Sequence, residues 1–129
     1  MMIKEVLEKY KKIAVVGLSS DPSRPSFGVT QYMQSQGYEI TPVRPGGEVI
    51  LGVKSVNSLK DLSQPVEIVD VFRKSDAVPE IVDEAISVKA KVLWLQEGVM
   101  HPVAEEKARK AGLIVISDKC ILKEHRKHF

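Results

Sequence analysis

The sequence predicts an α/β fold, a parallel sheet of about five strands with helices on both faces, in a single domain spanning residues 1–129. Three observations predict it. Short Val/Ile/Leu-rich runs alternate with stretches of helical periodicity, the order that joins parallel strands through crossover helices. Each run is Val/Ile/Leu-rich, as expected of strands covered on both faces. The first of them ends at Gly17 and passes through the polar loop Leu-Ser-Ser-Asp21-Pro-Ser-Arg24-Pro-Ser26 into a helix.

The elements follow in order. Met1 to Tyr10 mixes acids and apolar residues at helical spacing, with no apolar core or small-residue cleavage site of a signal peptide. Strands are expected at Ile13–Val16, Glu39–Val43, Ile68–Phe72, Val92–Leu95 and Leu113–Ser117, with an extra short one near Val49 to Val53. Helices are expected at about Ser26–Gln36, Ala77–Val88 and Val103–Ala111, with Gly37 and Gly112 as stops. Asp76 before Ala77-Val78-Pro79-Glu80 reads as an N-cap acid followed by an early proline. Ser58 to Leu62 suggests one further turn of helix, and the basic tail from Lys119 to His128 reads as a solvated helix end.

Composition narrows the function. A net charge of +2 with no concentrated basic and aromatic face points away from nucleic acid. No apolar run approaches the roughly 20 residues that span a bilayer, so a cytoplasmic protein is expected. The single Cys120 forms no internal disulfide, and three histidines offer no spaced metal ligands. No nucleophile has an evident base: His101 before Pro102 reads as a helix cap, Glu97 as a turn residue, and Cys120 as either an inert thiol or one activated by Lys119.

The chemistry concentrates where strands end. In an open parallel sheet, ligands bind beyond the carboxyl ends of the strands at the point where strand order reverses. There stand Ser19, Ser20 and Arg24; Pro42, Val43, Arg44 and Pro45; Phe72, Arg73 and Lys74; Gln96, Glu97 and Gly98. Gly17 permits a tight turn and close backbone approach, while Ser19, Ser20 and Ser26 donate hydroxyls or, for Ser26, cap the helix. Arg24, bracketed by Pro22 and Pro25, offers a charged fork that grips phosphate oxygens at two points. The dinucleotide pattern Gly-x-Gly-x-x-Gly is absent, and Arg44 stands where an acid would hold a ribose diol. A ribose that carries its own phosphate fits better, which leaves coenzyme A or, as an alternative, an NADP-binding oxidoreductase or regulatory module. Phe72 is either core or an adenine-stacking face, and Trp94 reads as core.

Together Val15-Val-Gly-Leu-Ser-Ser-Asp-Pro-Ser-Arg24-Pro-Ser, Tyr38-Glu-Ile-Thr-Pro-Val-Arg-Pro45, Val69-Asp-Val-Phe-Arg73, Val92-Leu-Trp-Leu-Gln96 and Asp118-Lys-Cys-Ile-Leu-Lys-Glu-His125 resemble the stand-alone CoA-binding domain family. That family is related to the N-terminal CoA-binding domain of the succinyl-CoA synthetase alpha subunit and has a Rossmann-like fold. The resemblance implies that Gly17, Ser19, Ser20 and Arg24 hold the CoA phosphates. It further implies that Pro42 to Pro45 and Phe72-Arg73 border the adenosine 3′-phosphate, and that Gln96 to Gly98 approach the pantetheine. Arg44 departs from the asparagine usual in the family. The synthetases use a histidine from a second domain, so binding of coenzyme A or an acyl-CoA is implied without ligation, with a partner protein or homo-oligomer left open.

Overall fold

A computed structural model describes all 129 residues. Its elements are α1 (Ile3–Lys9), β1 (Lys12–Val16), α2 (Pro25–Ser35), β2 (Glu39–Val43), β3 (Val49–Ile50), β4 (Val53–Lys54), β5 (Ile68–Val71), α3 (Val78–Ser87), β6 (Val92–Leu95), α4 (Pro102–Lys110), β7 (Ile114–Ile116) and α5 (Ile121–His128). Single 3-10 turns occur at Leu59–Asp61 and Ser75–Ala77. The main sheet is parallel, with strand order β2-β1-β5-β6-β7, so the predicted Rossmann-like architecture is the one the chain adopts. The chain moves outward from β1 to β2, then returns to the other side of β1. The order therefore reverses between β1 and β5, and a crevice opens above their carboxyl ends.

Strand parity divides the core into two layers, because successive side chains point to opposite faces. Ala14, Val16, Val69, Val71, Leu93 and Leu95 face α3 and α4; Ile13, Val15, Ile68, Val92 and Trp94 face α1, α2 and α5. In α3 the buried Val78, Ile81, Val82 and Ala85 form one stripe at helical spacing. His101 caps α4 as expected, its Nδ1 accepting the Ala104 N–H at 3.2 Å while Glu105 accepts the His101 N–H at 2.8 Å.

Four expectations need correction. Asp76 makes no cap: it lies exposed in the 3-10 turn, and α3 starts at Val78 without a side-chain cap. The run near Val49 to Val53 is an antiparallel hairpin, because Leu51 and Gly52 both take positive φ (54° and 79°) and form its turn. Ser26 does not cap α2; Arg24 occupies the N-cap position, and the Ser26 hydroxyl turns back to the preceding loop. The basic tail is not a merely solvated end. Ile121 and His125, four apart, bury one face of α5 against α1 and α2.

Candidate functional site

The first loop is held by its own polar groups. Ser26 Oγ accepts the Ser19 N–H at 3.0 Å, and Ser19 Oγ accepts the Asp21 N–H at 3.0 Å. Asp21 Oδ1 accepts both the N–H and the hydroxyl of Ser23, at 2.9 and 2.8 Å, and the Asp21 carbonyl accepts the Arg24 N–H at 3.0 Å. The Ser23 backbone bond, then its hydroxyl, then the Arg24 charge hold the Asp21 carboxyl below its ordinary range. The amides of Leu18 and Ser20 are left without a protein acceptor. Gly17 is required where it stands: with φ at +86°, a Cβ there would lie 2.5 Å from the Phe72 carbonyl oxygen.

The loop and three further strand ends enclose a cleft of about 640 Å³. It brings together Gly17, Ser19, Arg24 and Ser26 after β1, Val43, Arg44 and Pro45 after β2, Phe72 and Arg73 after β5, and Gln96 and Glu97 after β6. Three of the expected residues are outside its lining. Ser20 is exposed on the outer side of the loop, Pro42 is buried within β2 one residue short of the rim, and Gly98 is exposed with its N–H held by Asp118 Oδ1 at 2.8 Å. Lys74, expected at the rim beside Arg73, lines the cleft, whereas sequence reasoning did not anticipate Leu18, Pro25 or Val99 there.

The lining carries four cations, Arg24, Arg44, Arg73 and Lys74, against one carboxylate, Glu97. That carboxylate is already matched by Lys123, which donates to its two oxygens at 3.0 and 3.1 Å. The Glu97 hydrogen bond and then its charge raise the Lys123 ammonium above its ordinary value. Arg24, Arg73 and Lys74 form no ion pair. Arg44 is engaged: it donates to the Leu18 carbonyl at 3.2 Å and lies 3.4 Å from Glu48, so it straps the β2 rim to the first loop. Phe72 is half-buried: it packs against the α1/α2/α5 layer while also lining the cleft. Trp94 is wholly buried, its indole N–H donating to the Lys119 carbonyl at 2.8 Å. Cys120 is half-buried at the N-cap of α5 and outside the lining.

The floor holds a buried polar chain that the sequence reading missed. Gln96, 4% exposed, donates from Nε2 to Asp70 Oδ1 and accepts the Ile121 N–H at Oε1, 3.3 Å away. A second cavity, about 530 Å³, lies between the amino ends of β1 and β2 and residues 61–66, away from this rim.

A cleft of this size at a strand-order reversal, with three unpaired cations, the free Leu18 amide and a 3-10 or helical start on two sides, suits a ligand with several phosphates. The family described as "CoA binding domain" matches residues 11–126. The uncharacterized protein YneT of Bacillus subtilis is 45% identical over 123 residues, 95% of this chain and 91% of YneT. A solved protein from Thermus thermophilus superposes with a TM-score of 0.95 at 40% identity, with 100% of both chains covered. The ADP-forming acetate–CoA ligase II of Archaeoglobus fulgidus is 29% identical over 76 residues, which are 57% of this chain and 11% of the ligase.

Proposed function

The chain belongs to the CoA binding domain family, and we propose that its rim cleft receives coenzyme A or an acyl-CoA without itself transforming it. The observation that carries this reading is the charge balance of the cleft: Arg24, Arg73 and Lys74 face it unpaired, and its one carboxylate is neutralised by Lys123. Unpaired cations crowded at one rim repel one another, and a polyphosphate relieves that repulsion while gaining charge-assisted hydrogen bonds.

Each part of the ligand has a matching part of the rim. The diphosphate would take the Leu18 and Ser20 amides and the Arg24 fork, in a loop whose internal bonds limit the entropy lost on binding. Ser20 would serve through its backbone rather than its side chain. The adenosine 3′-phosphate would lie between Arg44-Pro45 and Arg73-Lys74, with Phe72 as an apolar face beside it. The pantetheine would run toward Gln96 and Glu97, with Gly98 shaping the turn beyond them. Arg44 would act mainly by holding Leu18 in place, which accounts for a cation where the family usually has asparagine. The thiol or acyl end would leave past the Glu97–Lys123 pair. The proposed setting is the cytoplasm.

Amide chemical-shift mapping tests this placement. Added CoA is expected to move Leu18, Ser19, Arg73 and Gln96 and to leave Ile40, Thr41 and Gln64 at the second cavity unmoved. Shifts confined to the second cavity, or larger effects from NADPH than from CoA, would replace this reading.

A further inference from the structure

Asp70 lies in the middle of β5, in register between Val15 of β1 and Trp94 of β6, and is 2% exposed. An ionised carboxylate there is costly unless paired, yet no Lys, Arg or His forms an ion pair with it. Its partner is the Gln96 amide, and that amide is fixed from the other side. The Ile121 N–H can only donate, so Gln96 must present Oε1 to α5 and Nε2 to Asp70. Gln96 also lines the cleft, so one side chain joins the ligand site, the buried acid and the first turn of α5.

On the reading of the cleft given above, we propose that Asp70 is a positioning residue that couples cleft occupancy to proton uptake through Gln96. Asp70 lies beside Val15 and Trp94 in the sheet, neither of them charged, and the titratable side chains of the α1/α2/α5 layer on its face are Tyr10, Tyr32, Tyr38 and His125. The charges within the same region are the cleft cations Arg24, Arg44, Arg73 and Lys74, and the exposed Glu97–Lys123 pair. A bound polyphosphate adds negative charge above Gln96 and removes water from it, and both effects favour the protonated acid. Burial already pushes the Asp70 carboxyl up to about 7, against the opposing Gln96 bond, so the free group sits where a further rise captures a proton. The proton comes from solvent and binds Oδ2, because Oδ1 must stay an acceptor for Gln96 Nε2. No other bond changes.

By linkage, ligand affinity falls as pH rises above 7, by up to about tenfold for one unit of difference between the free and bound states. Asp70→Asn keeps the Gln96 acceptor and removes the titration. Calorimetry with dephospho-CoA, whose lack of a 3′-monoester removes a competing titration, is run at pH 7.5 in two buffers of different ionisation enthalpy. Wild-type protein is expected to take up a fraction of a proton per ligand, and Asp70→Asn none. Equal proton counts in the two proteins would overturn the coupling while leaving the ligand assignment intact. If neither dephospho-CoA nor CoA binds, the cleft reading fails instead, and the free protein decides the rest. The Gln96 side-chain amide resonances should then follow a titration between pH 6 and 8 that Asp70→Asn abolishes; a flat profile in wild type would overturn the relay.

Discussion

The two faces of the sheet are built from different materials. The α3/α4 layer packs Ala, Val, Leu and Ile, with Glu105 at the start of α4 as its buried polar group, whereas the α1/α2/α5 layer contains Tyr10, Tyr38, Met33 and Trp94 beside the buried polar groups Asp70 and His125. The aliphatic layer supplies stability chiefly through burial. The second layer carries directional contacts. His125 Nδ1 lies 2.7 Å from the Tyr32 hydroxyl, Tyr38 donates to the Leu7 carbonyl at 2.6 Å, and Gln96 ties α5 to the cleft floor. One face holds the sheet up while the other connects it to the rim.

The sharpest way to break this contrast is to cut into the aliphatic layer. Leu93→Ala, at a wholly buried position, should remove about 2–5 kcal/mol of stability, by the same amount at pH 6 and pH 8. Urea unfolding at both values checks it, and a pH-dependent cost would mean that the two layers are not separate. Gly17→Ala forces a Cβ against the Phe72 carbonyl at a positive φ, so it should cost about 1–3 kcal/mol in thermal melts and abolish CoA binding as well. Arg24→Ala is the complementary case: the side chain is exposed and unpaired, so CoA affinity should drop by about 1.5–3 kcal/mol while the melting curve of the free protein stays in place.

The smallest effect belongs to the connecting layer. Tyr32→Phe removes the bond to His125 and should cost about 1 kcal/mol. Burial first, and then the Lys11 charge, push the His125 imidazole below its ordinary 6.5. The folded state therefore binds fewer protons than the unfolded one just below pH 6.5, and stability contributed by the neutral ring is lost as pH falls through that range. Melts from pH 7 to 5 should show an acid limb that is shallower in His125→Phe; an unchanged limb would place the titration elsewhere.

The aliphatic face and the parallel strands were legible in the sequence because continuous Val/Ile/Leu runs leave few alternatives. The rim was legible too, since strand ends, a positive-φ glycine and clustered arginines each carry a local signal. The connecting layer was not. The apolar stripe of α5 is only Ile121 and His125, masked by Lys123, Glu124, Arg126 and Lys127 on its other sides. Asp70 reads locally as one polar residue in a strand, and only pairing with β1 and β6 reveals that it lies in the middle of a covered sheet. Arg44 looked like a free phosphate ligand because its partners, Leu18 and Glu48, meet it only when the hairpin and loop fold back. Periodicity reports which face is buried, and it does not report which polar groups meet there.

Recognition of the coenzyme A phosphates by the unpaired rim cations is read by calorimetric titration of the free protein with CoA beside dephospho-CoA. The expected result is saturable one-to-one binding of CoA, weakened at least about tenfold when the 3′-phosphate is absent, for loss of a charge-assisted contact. No saturable heat with CoA, or equal affinity for the two ligands, would contradict it.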